Sequence, residues 1–285
     1  MSQYQPFHLV RPSPWPLLIS FRVLSLVLAL ISLFSRRSPG PFIALRGLRV
    51  LAIRAQWWRD ISREATLEGS HTRFSQGGLT WGIALFILSE VMLFFSLFWA
   101  YFHFSLVPLR GIGLAWPPVS LVSFRAFQLP FLNTLILLGR GVTLTLGHHA
   151  LCCQRAFLTK VALAGTIGLG LYFTFLQGLE YMTGAFSLQD SSYGSIFFLA
   201  TGTHGAHVLV GSLFLAACLI RLGKGHFRGT RHFGFEASAW YWHFVDVVWL
   251  VLFTVFYYWG AYLCGLRCWI RDLKAQKVFN NSLFD

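Results

Sequence analysis

Residues 232–260 read His232-Phe-Gly-Phe-Glu236-Ala-Ser-Ala-Trp-Tyr-Trp-His243-Phe-Val-Asp246-Val-Val-Trp-Leu-Val-Leu-Phe-Thr-Val-Phe-Tyr-Tyr-Trp-Gly260, an aromatic, membrane-length segment with ionisable groups in its first half. Placing Glu236, His243 and Asp246 near hydrocarbon costs several kcal/mol unless they are paired, so such residues face other protein or a wet cavity. At about 100° per residue the three fall within roughly 80° of one another on a helix. One face of this span is therefore expected to meet other helices.

The rest of the chain has the same character. Of 285 residues, 55% are hydrophobic, 17% aromatic and 12% charged, too apolar for a soluble domain of this length. Stretches 79–102, 161–179, 196–220 and 244–263 each approach or exceed the roughly 20 apolar residues that cross a bilayer core. They lack the alternation of a transmembrane barrel, which leaves helices. The map has a first span opening at Pro14-Trp15-Pro16 and running to about Phe34. A second lies over 41–58, where Arg46, Arg49 and Arg54 suit an interfacial amphipathic helix as well as a spanning one. Five more follow, near 78–104, 128–150, 158–184, 192–222 and 233–263, with a polar tail over 264–285. Loop charges favour an N-terminus inside.

The net charge of +13 would fit nucleic acid, but the basic residues sit between apolar spans and no nucleic-acid motif accompanies them. Anionic lipid is the expected acidic partner. The five cysteines form no CxxC pair. Met1–Pro16 has neither the Arg-rich amphipathic character of a transit peptide nor that of a secretory signal. Small residues four apart, Ala164 with Gly168 and Gly202 with Ala206, mark expected close approaches between helices, with Gly205 and Gly211 nearby.

Glu90 stands alone in an apolar run, and desolvation there favours a neutral carboxyl, either a proton-exchanging group or a hydrogen-bond anchor. His204 and His207 share a helix face. With Glu236, His243 and Asp246 they could form a diiron or zinc site, yet one loose histidine pair fits interhelical hydrogen bonding better than a metal enzyme's several boxes. His148 and His149 each precede a cysteine, Cys152 and Cys153, by four. This spacing also suits zinc, although adjacent histidines diverge by about 100°, so at most half the set could share an ion. Cys264 and Cys268 lack the nearby histidines and methionine of a two-copper centre. A transporter using Glu90 as its proton site would require inverted repeats, which are not seen. Walker A, dinucleotide and nucleophile-elbow motifs are absent, so no catalytic residue is nominated.

Together these motifs resemble subunit III of cytochrome c oxidase. The matching stretches are Phe7-His8-Leu9-Val10, Pro12-Ser13-Pro14-Trp15-Pro16, Gln56-Trp57-Trp58-Arg59-Asp60, Phe86-Ile87-Leu88-Ser89-Glu90-Val91, Phe98-Trp99-Ala100, Leu132-Asn133-Thr134, His148-His149, Tyr193-Gly194-Ser195, Thr201 to Val208, and the opening segment. The resemblance implies an all-α polytopic membrane protein of seven helices. Helices 1 and 2 (residues 1–69) and helices 3–7 (residues 70–263) would form two bundles around a V-shaped cleft filled with lipid. It implies a subunit without haem or copper; haem a, haem a3 and the copper centres belong to partner subunits I and II, which oxidise cytochrome c, reduce dioxygen and pump protons. Accessory subunits, cytochrome c reached only through the complex, and the mitochondrial inner membrane follow from the same likeness.

Carried over by motif, Glu90 corresponds to the family's carbodiimide-reactive carboxylate. Trp58, Glu64, His71, Arg221, Lys224 and His226 correspond to positions facing headgroups of cardiolipin, phosphatidylglycerol or phosphatidylethanolamine. His148, His149, His204, His207, Glu236, His243 and Asp246 form the expected interhelical polar network, with no metal. The arginines of the second span, Arg140 at a position usually small, and the tail beyond Gly260 depart from the family pattern.

Overall fold

The computed structural model describes residues 6–35, 40–108, 114–118, 121, 123–227, 229, 231–260 and 262. The expected polar tail, with Cys264 and Cys268, lies outside them. Seven α-helices follow in order: α1 (Trp15–Phe34), α2 (Gly40–Thr66), α3 (Arg73–Leu106), α4 (Leu129–Cys152), α5 (Ala156–Thr183), α6 (Ser192–Gly223) and α7 (Phe233–Leu252), the last continuing as a π-helical segment, Phe253–Trp259. Among the described residues no strand element occurs. Six of the seven helices, all but α2, are long and apolar enough to cross a membrane. The protein is therefore a multi-pass helical membrane protein, and α2 fails on composition, not on length.

The chain divides into two compact units, Met1–Trp81 and Gly82–Asp285, the break falling within α3. In the first, α1 starts with a proline inside its first turn, where the missing N–H would have had no intrahelical partner. α2 packs antiparallel against it. Their ends are joined by the Trp15 indole, which donates to Asp60 Oδ2 at 2.8 Å. Arg46, an arginine that made α2 ambiguous, donates to the Ser25 carbonyl of α1 at 3.0 Å, and Arg54 lies over the Trp58 ring at 5.0 Å. Neither leaves its charge facing hydrocarbon alone. Leu17, Phe21, Leu24 and Leu28 on α1 are exposed at helical spacing, an apolar stripe suited to lipid.

In the second unit α4, α5, α6 and α7 bury an aromatic core around Trp242, Trp249, Phe173, Phe197 and Tyr257. α6 begins at Ser191, whose hydroxyl accepts from the Tyr193 and Gly194 amides and so satisfies two otherwise unpaired N–H groups. Close packing depends on Gly211, named from the sequence, and on Gly170, which was not, rather than on the pairs four apart. A Cβ on Gly170 or Gly211 would lie 2.8 or 2.7 Å from the Trp242 indole, whereas Gly168 and Gly202 have nothing within 4 Å. Two glycines, one on α5 and one on α6, thus make the slot that admits a tryptophan from α7. The fourfold spacing pointed to the wrong faces because it marks a helix surface without saying which neighbour arrives.

Candidate functional site

Glu90, Glu180 and Asp246 each meet a partner that helix geometry brings from another helix, while Glu236 meets His232 at the start of its own. On α3, Glu90 Oε2 lies 2.8 Å from His207 Nε2 on α6. The other ring nitrogen, Nδ1, is 2.7 Å from the Thr203 carbonyl. A carbonyl only accepts, so Nδ1 carries a proton and the tautomer is fixed. The short Oε2–Nε2 contact then holds one further proton, either on the ring or on the carboxyl, and the pair is neutral as a whole in both forms. Phe94 and Tyr241 enclose the imidazole, with ring centroids 5.2 and 6.2 Å away.

Asp246, on α7, meets Arg140 of α4. Its Oδ1 is 3.0 Å from Nε and 2.8 Å from Nη2. The guanidinium is fully buried and lies 4.8 Å from both the Phe173 and Trp242 ring centroids. Carboxylate and two π faces thus surround the planar cation, whose Nη1 makes no hydrogen bond among the described residues. Below the pair, His204 is buried with Nε2 3.2 Å from the Val245 carbonyl, its ring between Phe173 and Trp249. His148 packs against His232 at 5.5 Å, and His232 Nε2 is 3.2 Å from Glu236 Oε1.

Of the expected polar network, the structure brings together His207 with Glu90, Asp246 with Arg140, His204 with the α7 backbone, and His148 and Glu236 around His232. His149 and His243 lie on exposed faces; His149 touches the His148 group only through a ring contact at 6.4 Å. Two members escaped the sequence reading. Arg140 was noted only as a departure; a lone arginine in an apolar helix must find an acid, and Asp246 was available. Glu180 on α5 is 1% exposed, with Oε2 accepting from the Tyr257 hydroxyl at 3.3 Å. Its partner lies 77 residues away, beyond what local sequence displays.

The headgroup candidates fall in both units. In the first, Trp58 is 56% exposed, Glu64 faces His8 at 3.6 Å and His8 packs on His71 at 5.4 Å. In the second, the α6 terminus presents exposed Lys224, Arg221 over the Phe227 ring at 4.6 Å, and His226, whose backbone N–H donates to the Arg221 carbonyl. Burial first, then the neighbouring Arg221 and Lys224 cations, hold His226 below the ordinary imidazole value.

A family model described as Cytochrome c oxidase subunit III matches residues 5–261. Among curated relatives, proteins named cytochrome c oxidase subunit 3 from Drosophila melanogaster and Lumbricus terrestris are each 50% identical. The first aligns over 256 residues (90% of this chain, 97% of the relative) and the second over 257 (90% and 99%). The namesake from Myxine glutinosa is 48% identical over 259 residues, covering 91% and 99%. With the intramembrane Glu90, the paired histidines and the α7 motif all within the matched region, the chain belongs to the cytochrome c oxidase subunit III family.

Proposed function

We propose that the chain is a non-catalytic core subunit of the terminal oxidase in the mitochondrial inner membrane. The oxidase transfers electrons from cytochrome c to dioxygen and pumps protons. The chain would stabilise the haem-bearing subunit, sustain its proton uptake and seat structural phospholipids, while haem a, haem a3 and copper reside in subunits I and II. One observation carries this reading: likeness along nearly the whole chain, at about half identity, to proteins named as this oxidase's third subunit.

The geometry fits the assigned parts. Glu90 and His207 form a contact across which a proton can pass between carboxyl and ring without creating net charge in hydrocarbon, which suits a proton-supply role. Trp58, Glu64 and His71, and separately Arg221, Lys224 and His226, combine an aromatic or imidazole ring with charge, which suits cardiolipin, phosphatidylglycerol or phosphatidylethanolamine headgroups. The test is affinity purification through this polypeptide in mild detergent. Haem a and copper should co-purify in fixed ratio to it; isolation as a haem-free, copper-free polypeptide under conditions that keep other respiratory complexes whole would overturn the reading.

A further inference from the structure

Where α4 ends and α7 begins, His148, Cys152 and His232 each bring a ligand atom within 4.8 Å of the others. Residues 148 and 152 share one face of α4 because they are four apart. His232 comes from the residue capping α7, its Nε2 4.0 Å from Cys152 Sγ. Glu236, one turn into α7, already reaches His232 at 3.2 Å. The Cys152 thiol is free and exposed. His148 Nε2 is shut away from solvent and has no hydrogen-bond partner, a condition that costs free energy unless something else coordinates it.

We propose that His148, Cys152 and His232 bind a divalent cation of the zinc class, with Glu236 as fourth ligand. Two imidazoles, a thiolate and a carboxylate make a donor set that zinc accepts and that magnesium and calcium, which require oxygen, do not. Zinc lies about 2.0–2.1 Å from nitrogen and about 2.3 Å from sulfur, so its tetrahedral ligands sit roughly 3.3–3.6 Å apart. The 3.2 Å and 4.0 Å contacts lie close to that range. Closing the gaps of up to 4.8 Å among His148, Cys152 and His232 takes side-chain shifts of roughly an ångström, and Glu236, already beside His232, would turn toward the other two. Binding forms a zinc–sulfur bond and releases the thiol proton to solvent; no oxidant or reductant is involved. The His148-His149 and Cys152-Cys153 spacing left open which half might converge. His232 selects the first, and the ion would clamp the end of α4 to the start of α7.

Cys153, exposed and adjacent, supplies an internal control. In the assembled oxidase, freed of loosely held metal by chelator, alkylation by iodoacetamide can be followed at each cysteine by mass spectrometry, with and without equimolar Zn²⁺. Zinc should slow modification of Cys152 by at least about tenfold, since a coordinated thiolate is withheld from the reagent. Cys153 should be unaffected, Mg²⁺ should protect neither, and His232→Asn should abolish protection. Equilibrium dialysis against Zn²⁺ should count about one more bound ion per chain in the parent than in Cys152→Ser, provided both assemble with the same haem spectrum. Equal zinc counts overturn the proposal, also when Cys152 is unreactive in the complex, and so does equal protection of Cys152 and Cys153.

Discussion

Asp246 and Glu90 are both carboxylates placed in spans, each facing one basic side chain from another helix, yet the two pairs differ in kind. Arg140 cannot give up its proton, so Asp246 faces a permanent charge, with two aromatic rings completing the enclosure. Glu90 faces an imidazole that can, on a helix whose apolar window is only 6% buried within the chain. The first pair is a strut of fixed charges in a dry core. The second is a shared proton near a face left for lipid or another subunit. Partner chemistry, and not depth alone, separates the two acids.

The contrast breaks first at Asp246. Asp246→Asn strands a buried guanidinium and should cost roughly 3–5 kcal/mol, whereas Asp246→Asn with Arg140→Met removes both charges and should recover most of it. Chemical unfolding of the chain in mixed micelles checks this. Single and double variants of equal stability would mean that Arg140 is not held as a desolvated ion.

Glu90→Gln probes the other pair. An amide can still donate to His207 Nε2, so the fold should lose only about 1 kcal/mol. The shared proton is gone, however, and proton pumping in vesicles or the lifetime of turnover should fall while the haem spectrum stays intact. Turnover, pumping and lifetime all matching the parent would reduce Glu90 to packing.

Gly211→Ala sharpens the distinction through a neighbour. Its methyl would meet the Trp242 indole at 2.7 Å, pressing on the ring that covers Arg140, at about 1–3 kcal/mol. Gly168→Ala, with nothing within 4 Å, should be neutral or slightly stabilising by helix propensity. The Gly211 variant should weaken the Arg140–Asp246 pair and leave infrared signals of Glu90 unchanged; equal stability of the two alanine variants would remove the indole slot from the account.

The helices were legible because spanning a bilayer imposes length and apolarity directly on sequence. α1 and α4–α6 fall within a residue or two of the expected limits, and α3 extends further at its N-terminal end. The ambiguous α2 was ambiguous for a physical reason: Arg46 and Arg54 find partners one helix away or one turn along, which hydropathy does not register. The motif histidines were legible as a set, but not their partition. Facing another helix depends on which neighbour the loops deliver, so His243 emerged exposed while Asp246, three residues on, was buried. Arg140 and Glu180 were missed for the same reason: their partners are 106 and 77 residues away.

The smallest effect expected concerns a third way of holding charge, at headgroup depth. His226 lies outside the spans and resists protonation because burial, then Arg221 and Lys224, oppose a third positive charge. The folded protein thus binds this proton less readily than the unfolded chain. The associated stability is present above the unfolded value of about 6.5 and is lost as pH falls below it. A phosphate headgroup seated on Arg221 and Lys224 would neutralise that opposition, so lipid binding and protonation of His226 should reinforce one another. Affinity for phosphatidylglycerol in nanodiscs should rise as pH is lowered from 7.5 to 5.5, by less than about threefold because solvent screens a group this near the surface. His226→Gln should flatten the slope without changing affinity at neutral pH. A parent protein whose affinity is independent of pH would place the headgroup elsewhere, leaving Arg221 to its ring contact with Phe227.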